Sequence, residues 1–220
     1  MVRTYLFTVV LIGSLVLISG CWESADNTGY LSDYSKLNEV SGFEKVEGST
    51  FRYTDSSVAK GKYQGFIVDP VAIKFQIESK AAVAQTKGKL KQNDVNDLVN
   101  YLYSAIIDAV NESGYKIVYH AGAGVARVRV AITDLRKTNI VFAAVPTARI
   151  TTGIGTGGAA IESEMIDSVS GKQITACVAS KPGSRIPFTD LSDWGGAQHA
   201  MDVWVNNFRK QLAEMKKTNS

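Results

Sequence analysis

Val125-Ala126-Arg127-Val128-Arg129-Val130-Ala131-Ile132-Thr133 is the stretch on which the fold turns. Successive side chains of a strand point to opposite faces, so Ala126, Val128, Val130 and Ile132 share one face and Arg127, Arg129 and Thr133 the other. The pattern predicts a half-buried strand that needs an apolar layer on one side only. A hairpin comes after it, with strands over about 159–166 and 173–179 joined through Asp167-Ser168-Val169-Ser170-Gly171-Lys172. Glu162 and Glu164 share a face of that hairpin. If it is the face that bears Arg127 and Arg129, cross-strand ion pairs form, each worth about 0.2–1 kcal/mol. The same four charges are the candidate binding face.

Two helices supply the apolar layer. After Asn93 or Asp94 as cap, Val95, Leu98, Val99, Leu102, Ile106 and Val110 recur at intervals of three and four until Gly114 ends the run. Ser192 or Asp193 caps the second, whose stripe is Ala197, Met201, Trp204, Phe208, Leu212 and Met215. A further strand is predicted over 65–75, broken or confined to an edge by Pro70, and a short one over 115–119 before the turn His120-Ala121-Gly122-Ala123-Gly124. Residues 29–37 and Phe51-Arg52-Tyr53 are aromatic-rich without a sustained period. They read as irregular chain laid against the rest, with Tyr30 and Tyr34 as anchors. The apolar segment after Asn139 reads as a buried edge strand and loop; exposed, it would instead meet lipid or another subunit.

The beginning of the chain carries a different signal. One positive charge, Arg3, precedes an apolar run over 5–18, too short for the roughly 20 residues of a membrane-spanning helix and of the right length for a secretory signal. The run closes in Leu17-Ile18-Ser19-Gly20-Cys21, which resembles the lipobox of bacterial lipoproteins. That resemblance implies cleavage between Gly20 and Cys21, a diacylglyceryl group on the Cys21 thiol and an acyl chain on the new amine. Trp22 stands where an aspartate would suggest inner-membrane retention, so the resemblance points to the outer membrane. The expected organisation is a signal peptide over 1–20, a tether over 21–29 and one domain over 30–220.

Charge and chemistry exclude more than they assign. The formal net charge of +3 comes from interspersed residues, and no basic stripe argues for nucleic acid. Cys177 has no partner once Cys21 is acylated, so no disulfide is expected; it reads as a small buried apolar residue. His120 and His199 lie in no metal-binding spacing, and no nucleophile elbow occurs, so neither a metal, a cofactor nor a catalytic residue is assigned. Gly153, Gly155 and Gly158 match G-x-G-x-x-G, but the residues after Gly158 are patterned as a strand rather than the helix a dinucleotide site requires. A connection between strands is the preferred reading.

Leu31-Ser32-Asp33-Tyr34-Ser35-Lys36-Leu37, Val68-Asp69-Pro70-Val71, Ala131-Ile132-Thr133-Asp134-Leu135, Asp167-Ser168 and Gly171-Lys172 together resemble a family of Gram-negative envelope lipoproteins, known as domain of unknown function 3313. The resemblance implies an outer-membrane or periplasmic lipoprotein and no activity. The expected fold is α+β, a mixed or mostly antiparallel sheet of four or five strands with the two helices on one face. The expected function is a non-enzymatic outer-membrane lipoprotein facing the periplasm that holds a protein or cell-wall partner. The alternatives are a binding module for a small lipid or glycan, and an oligomeric assembly built through residues 140–161.

Overall fold

Alternation builds the central strands. The computed structural model describes residues 27–39, 50–76, 79–143, 147, 150–151, 153, 155–186 and 189–216. The expected signal peptide, Cys21 and most of the tether lie outside these residues, as do Val145, Pro146, Arg149 and Ile154. The long strands are β6 (Val125–Arg136), β7 (Gly158–Asp167) and β8 (Gln173–Pro182), joined antiparallel in that order. Beyond β8 lie β2 (Thr50–Thr54) and β1 (Asn38–Glu39). On the other edge of β6 run β3 (Gly65–Val68) and β4 (Ala72–Ile73), both parallel to it, and β5 (Lys116–Ile117) pairs parallel with β3. The order is β1-β2-β8-β7-β6-β3-β5, with β4 beside β6.

The fold is α+β with a mixed sheet, larger than the four or five strands expected. The main addition is β2, where the sequence suggested irregular chain: a five-residue edge strand is too short to display a period, although Phe51 and Tyr53 are good strand formers. Pro70 does what its chemistry dictates. It has no N–H to give the ladder, so the strand stops at Val68 and resumes at Ala72. Asp69 N still reaches Val128 O at 3.0 Å, which keeps the two pieces in line.

Helix α2 (Gln92–Glu112) and the final helix, α4 (Gly195–Lys216), cover one sheet face as expected. Gly114 closes α2 with φ +73, a left-handed conformation open to glycine, but Lys91 rather than Asn93 or Asp94 occupies the cap position. Helix α1 (Lys80–Thr86) is too short to show a stripe in the sequence; Ser79 caps it by accepting Ala82 N at 3.0 Å. The segment after Asn139 is not a buried edge strand. It forms a helical turn, α3 (Ile140–Ala143), with Ile140 and Val141 exposed. No helix among the described residues is long and apolar enough to cross a membrane.

The core lies between the helices and the sheet. Phe66, Leu98, Leu102, Val110, Ile132, Met201 and Leu212 are essentially fully buried there, each contributing about 1.5–3 kcal/mol by leaving water. Phe66 meets Tyr115 edge to face, with ring centroids 4.9 Å apart. Of the α4 stripe, Ala197, Met201 and Leu212 are buried, while Trp204, Phe208 and Met215 are half-buried at its flank. The glycines after residue 153 serve close packing rather than flexibility. A Cβ on Gly196 would lie 1.8 Å from Thr156 O and one on Gly183 2.2 Å from it, so the start of α4 and the end of β8 close on this turn. Gly158 opens strand β7, so the geometry a dinucleotide needs after G-x-G-x-x-G is not there.

Candidate functional site

The sheet face opposite the helices is covered by the chain's own N-terminal segment. Register puts Arg129 directly opposite Glu164, Glu162 opposite Ala131 and Val178, and Ala176 opposite Glu164. The acidic side chains therefore rise from β7 on this face, Glu162 between Ala131 and Val178 and Glu164 between Arg129 and Ala176. Residues 27–37 lie against this face as a strap.

Each carboxylate receives several donors. Glu162 accepts Thr28 N at 2.9 Å, the Thr28 hydroxyl at 2.7 Å and the Tyr34 hydroxyl at 2.5 Å. Glu164 accepts Ser32 N at 2.9 Å, the Ser32 hydroxyl at 2.7 Å and Gln173 Nε2 at 2.8 Å, and pairs with the Arg129 guanidinium. The two side chains sit in residues only 1% and 2% exposed. A buried carboxylate without donors would cost several kcal/mol, so the strap's hydroxyls and amides are what make these positions tolerable. Gln173 Nε2 also reaches Asp33 O at 3.1 Å, and the Tyr30 hydroxyl donates to Val130 O at 3.1 Å while its ring lies 4.8 Å from the Arg129 guanidinium.

Burial raises the pKa of the Tyr30 hydroxyl, and burial followed by the hydrogen bond to the Glu162 carboxylate raises that of Tyr34, so both remain donors. At the far end of the strap Asp33 accepts the Ser35 hydroxyl at 2.6 Å and pairs with Lys36 at 2.9 Å. The Ser35 hydroxyl foremost, then Lys36, lowers the Asp33 pKa to about 2. Lys36 lies 5.3 Å from the Tyr53 ring, and the chain then pairs as β1 along β2.

Three of the four charges singled out from sequence, Arg129, Glu162 and Glu164, thus meet in one network. Arg127 stands apart: it sits opposite Ile166 and faces Asp69 at 3.7 Å. The expectation that Tyr30 and Tyr34 anchor the segment holds, with their hydroxyls turned inward. Sequence reasoning does not reach Thr28, Ser32 and Gln173. Their partners lie between 9 and 140 positions away in the chain, and nothing local distinguishes them from ordinary polar residues.

Elsewhere the described residues offer little for chemistry. They contain no cluster of three His, Cys, Asp or Glu side chains placed to hold a metal. His199 lies 4.0 Å from Asp190, and the Cys177 thiol is pushed up by burial. A cleft of about 660 Å³ opens where the helices cover only part of the sheet. Its lining includes the buried Val205, Ile161 and Met165 and the half-buried Trp204, Phe208 and Arg52.

Fold and site together define an α+β protein whose N-terminal segment is strapped across the open sheet face by buried carboxylates. The chain belongs to the family described as protein of unknown function, DUF3313, whose model matches residues 26–208 and so spans the strap. No curated protein matches it. Among solved structures it is similar to the PelC dodecamer from Paraburkholderia phytofirmans, at 12% identity over 78% of this chain and 99% of that one, with a TM-score of 0.42. It is also similar to protein XCC0632 from Xanthomonas campestris, of family DUF330, at 8% identity over 73% and 86%, with a TM-score of 0.34.

Proposed function

We propose that this protein is a lipoprotein of the bacterial outer membrane, held through acylated Cys21, facing the periplasm and engaging a protein or cell-wall partner without chemistry of its own. The lipobox-like Leu17-Ile18-Ser19-Gly20-Cys21 supports the anchor. The observation that carries the reading further is the strap. Seven residues after Cys21 the chain enters a network that binds it to two buried carboxylates. At no more than about 3.5 Å per residue, Cys21 lies within about 25 Å of Thr28. An anchor joined to the body in this way holds it close to the bilayer, whereas a long loose tether would let it range widely.

The test is fractionation of native protein and Cys21→Ser, followed by crosslinking in the envelope. Native protein is expected in the outer-membrane fraction with a reproducible partner, and the variant is expected to lose both. Recovery of the native protein in the soluble fraction would refute the anchor.

A second reading, a module for a small envelope ligand, is favoured by the cleft beside α4. The open sheet face is already occupied by the strap, and the glycine turn is closed by packing, which turns this reading to the cleft. Its volume falls within the usual range of small-molecule sites, about 300–1,000 Å³. A lipid or other small molecule retained through mild purification, and lost on Val205→Trp, would favour this reading over the first.

A further inference from the structure

The strap has a direction, and it leads to the most apolar end of the surface. Thr28 sits on Glu162, Ser32 on Glu164 and the Asp33 carbonyl on Gln173, which lies opposite Ile166. Going forward, the chain therefore moves along β7 toward the hairpin turn. Going backward, from Ser32 on Glu164 to Thr28 on Glu162, it moves toward the start of β7, where Gly158 lies between Arg136, the last residue of β6, and Pro182, the last of β8. Glu162 is four residues from that edge, about 13 Å at strand spacing. The residues between Cys21 and Asn27 are long enough to pass it.

The same edge carries two connections tied to one another. Thr138 N donates to Asp193 O at 2.8 Å, Asn139 N to Gly155 O at 3.0 Å, and Gly183 N to Gly157 O at 3.3 Å. They expose Ile140, Val141, Ile150, Ile186 and Leu191, with Val141 at 76% and Ile186 at 65%. Only three other large apolar side chains are exposed among the described residues. Val83 is on α1, while Tyr119 and Val169 belong to the opposite end, where Gly122 N meets the Ser168 hydroxyl at 3.2 Å. Scattered exposed apolar residues need no explanation, but five on the two connections of one edge do.

The geometry points to a lipid-docking end: Ile140, Val141, Ile150, Ile186 and Leu191 rest in the interfacial layer of the bilayer that holds Cys21, and the strap aims the body so that they face it. This rests on the lipoprotein reading above. Apolar side chains at such a surface sink about 5–10 Å, to the boundary of headgroups and acyl chains. The edge is thereby a second contact beside the lipid anchor, and it fixes the orientation of the helix layer and the cleft relative to the membrane.

The test uses the native lipidated chain in vesicles of phosphatidylethanolamine and phosphatidylglycerol containing a nitroxide-labelled lipid. A fluorophore is placed through Val141→Cys or Ile186→Cys, with Tyr119→Cys and Val169→Cys as controls at the opposite end. Lipid quenching at 141 and 186 is expected to exceed that at 119 and 169 by at least about threefold. Equal quenching at all four positions would overturn the proposal. So would labels at 141 and 186 that are shielded from aqueous iodide but untouched by the lipid quencher, because a second copy or another protein would then cover the edge. The mass of the Cys21 peptide is measured on the same sample. An unmodified Cys21 refutes the anchor alone if the vesicle-bound chain still shows the quenching pattern, and refutes both if the chain does not bind.

Discussion

Glu164→Ala removes the acceptor shared by Ser32 N, the Ser32 hydroxyl, Gln173 Nε2 and Arg129. Hydrogen bonds to a charged group contribute about 1.5–3 kcal/mol each, and orphaning one member of a buried ion pair costs about 3–5 kcal/mol. The Arg129 side chain is 28% exposed and can hydrate, and the strap can peel away and do the same, so these terms do not add. We expect a loss of about 3 kcal/mol, concentrated in the strap. Because Ser32 N itself donates to Glu164, its amide exchange reports the site directly. Protection there is expected to fall by about two orders of magnitude, since 1.4 kcal/mol is about tenfold, while amides of β6 and α2 keep most of theirs. Glu164→Gln preserves shape and one acceptor oxygen but loses the charge, so about 1 kcal/mol is expected. Native exchange measured by NMR together with urea midpoints distinguishes the two variants. Unchanged protection at Ser32 in Glu164→Ala, with a midpoint within error of the native protein, would refute the idea that the buried carboxylates hold the strap.

Gly196→Ala places a methyl group 1.8 Å from Thr156 O, and overpacking of this severity is expected to cost about 3 kcal/mol or more, seen as a clearly lowered Tm; an unchanged Tm would show that the turn can give way. Asp167 is held below the usual carboxylate range by Ser170 N first and by the Tyr63 hydroxyl among others, and Asp33 is lowered to about 2. Both are depressed in the folded state, so their stabilisation is complete above the unfolded carboxylate value of 3.8 and is lost as pH falls toward the folded values. Stability is therefore expected to drop between about pH 4 and pH 2, and Asp167→Asn to flatten part of that drop in pH-dependent urea titrations. Cys177 is only half-buried and lines the cleft, but its thiol is pushed up by burial, so it is expected to react more slowly with a thiol reagent at about pH 8 in the folded chain than in urea; equal rates would contradict the raised thiol.

The long elements are legible because each repeats one physical demand many times. Alternation in β6, the hairpin of β7 and β8, and the stripes of α2 and α4 all come from facing one core. The elements that escape a sequence reading are short or non-local. β1, β4 and β5 are two residues each and depend on their neighbours for pairing. Ile140 and Val141 are apolar without being buried, so composition alone points to a strand inside the protein while the chain places them on an exposed helical turn. Arg129, Glu162 and Glu164 are visible as charges on shared faces, and strand parity is enough to bring them together. Their covering is not visible, because Thr28 and Ser32 meet them across 134 and 132 positions of chain.

The central claim is that an acylated Cys21 is the point from which the strapped body hangs. Mass spectrometry of the N-terminal peptide from outer-membrane preparations tests it most directly. A peptide beginning at Cys21 and carrying three acyl chains is the expected result, absent in Cys21→Ser. An intact Met1, or a Cys21 without lipid, would contradict the account.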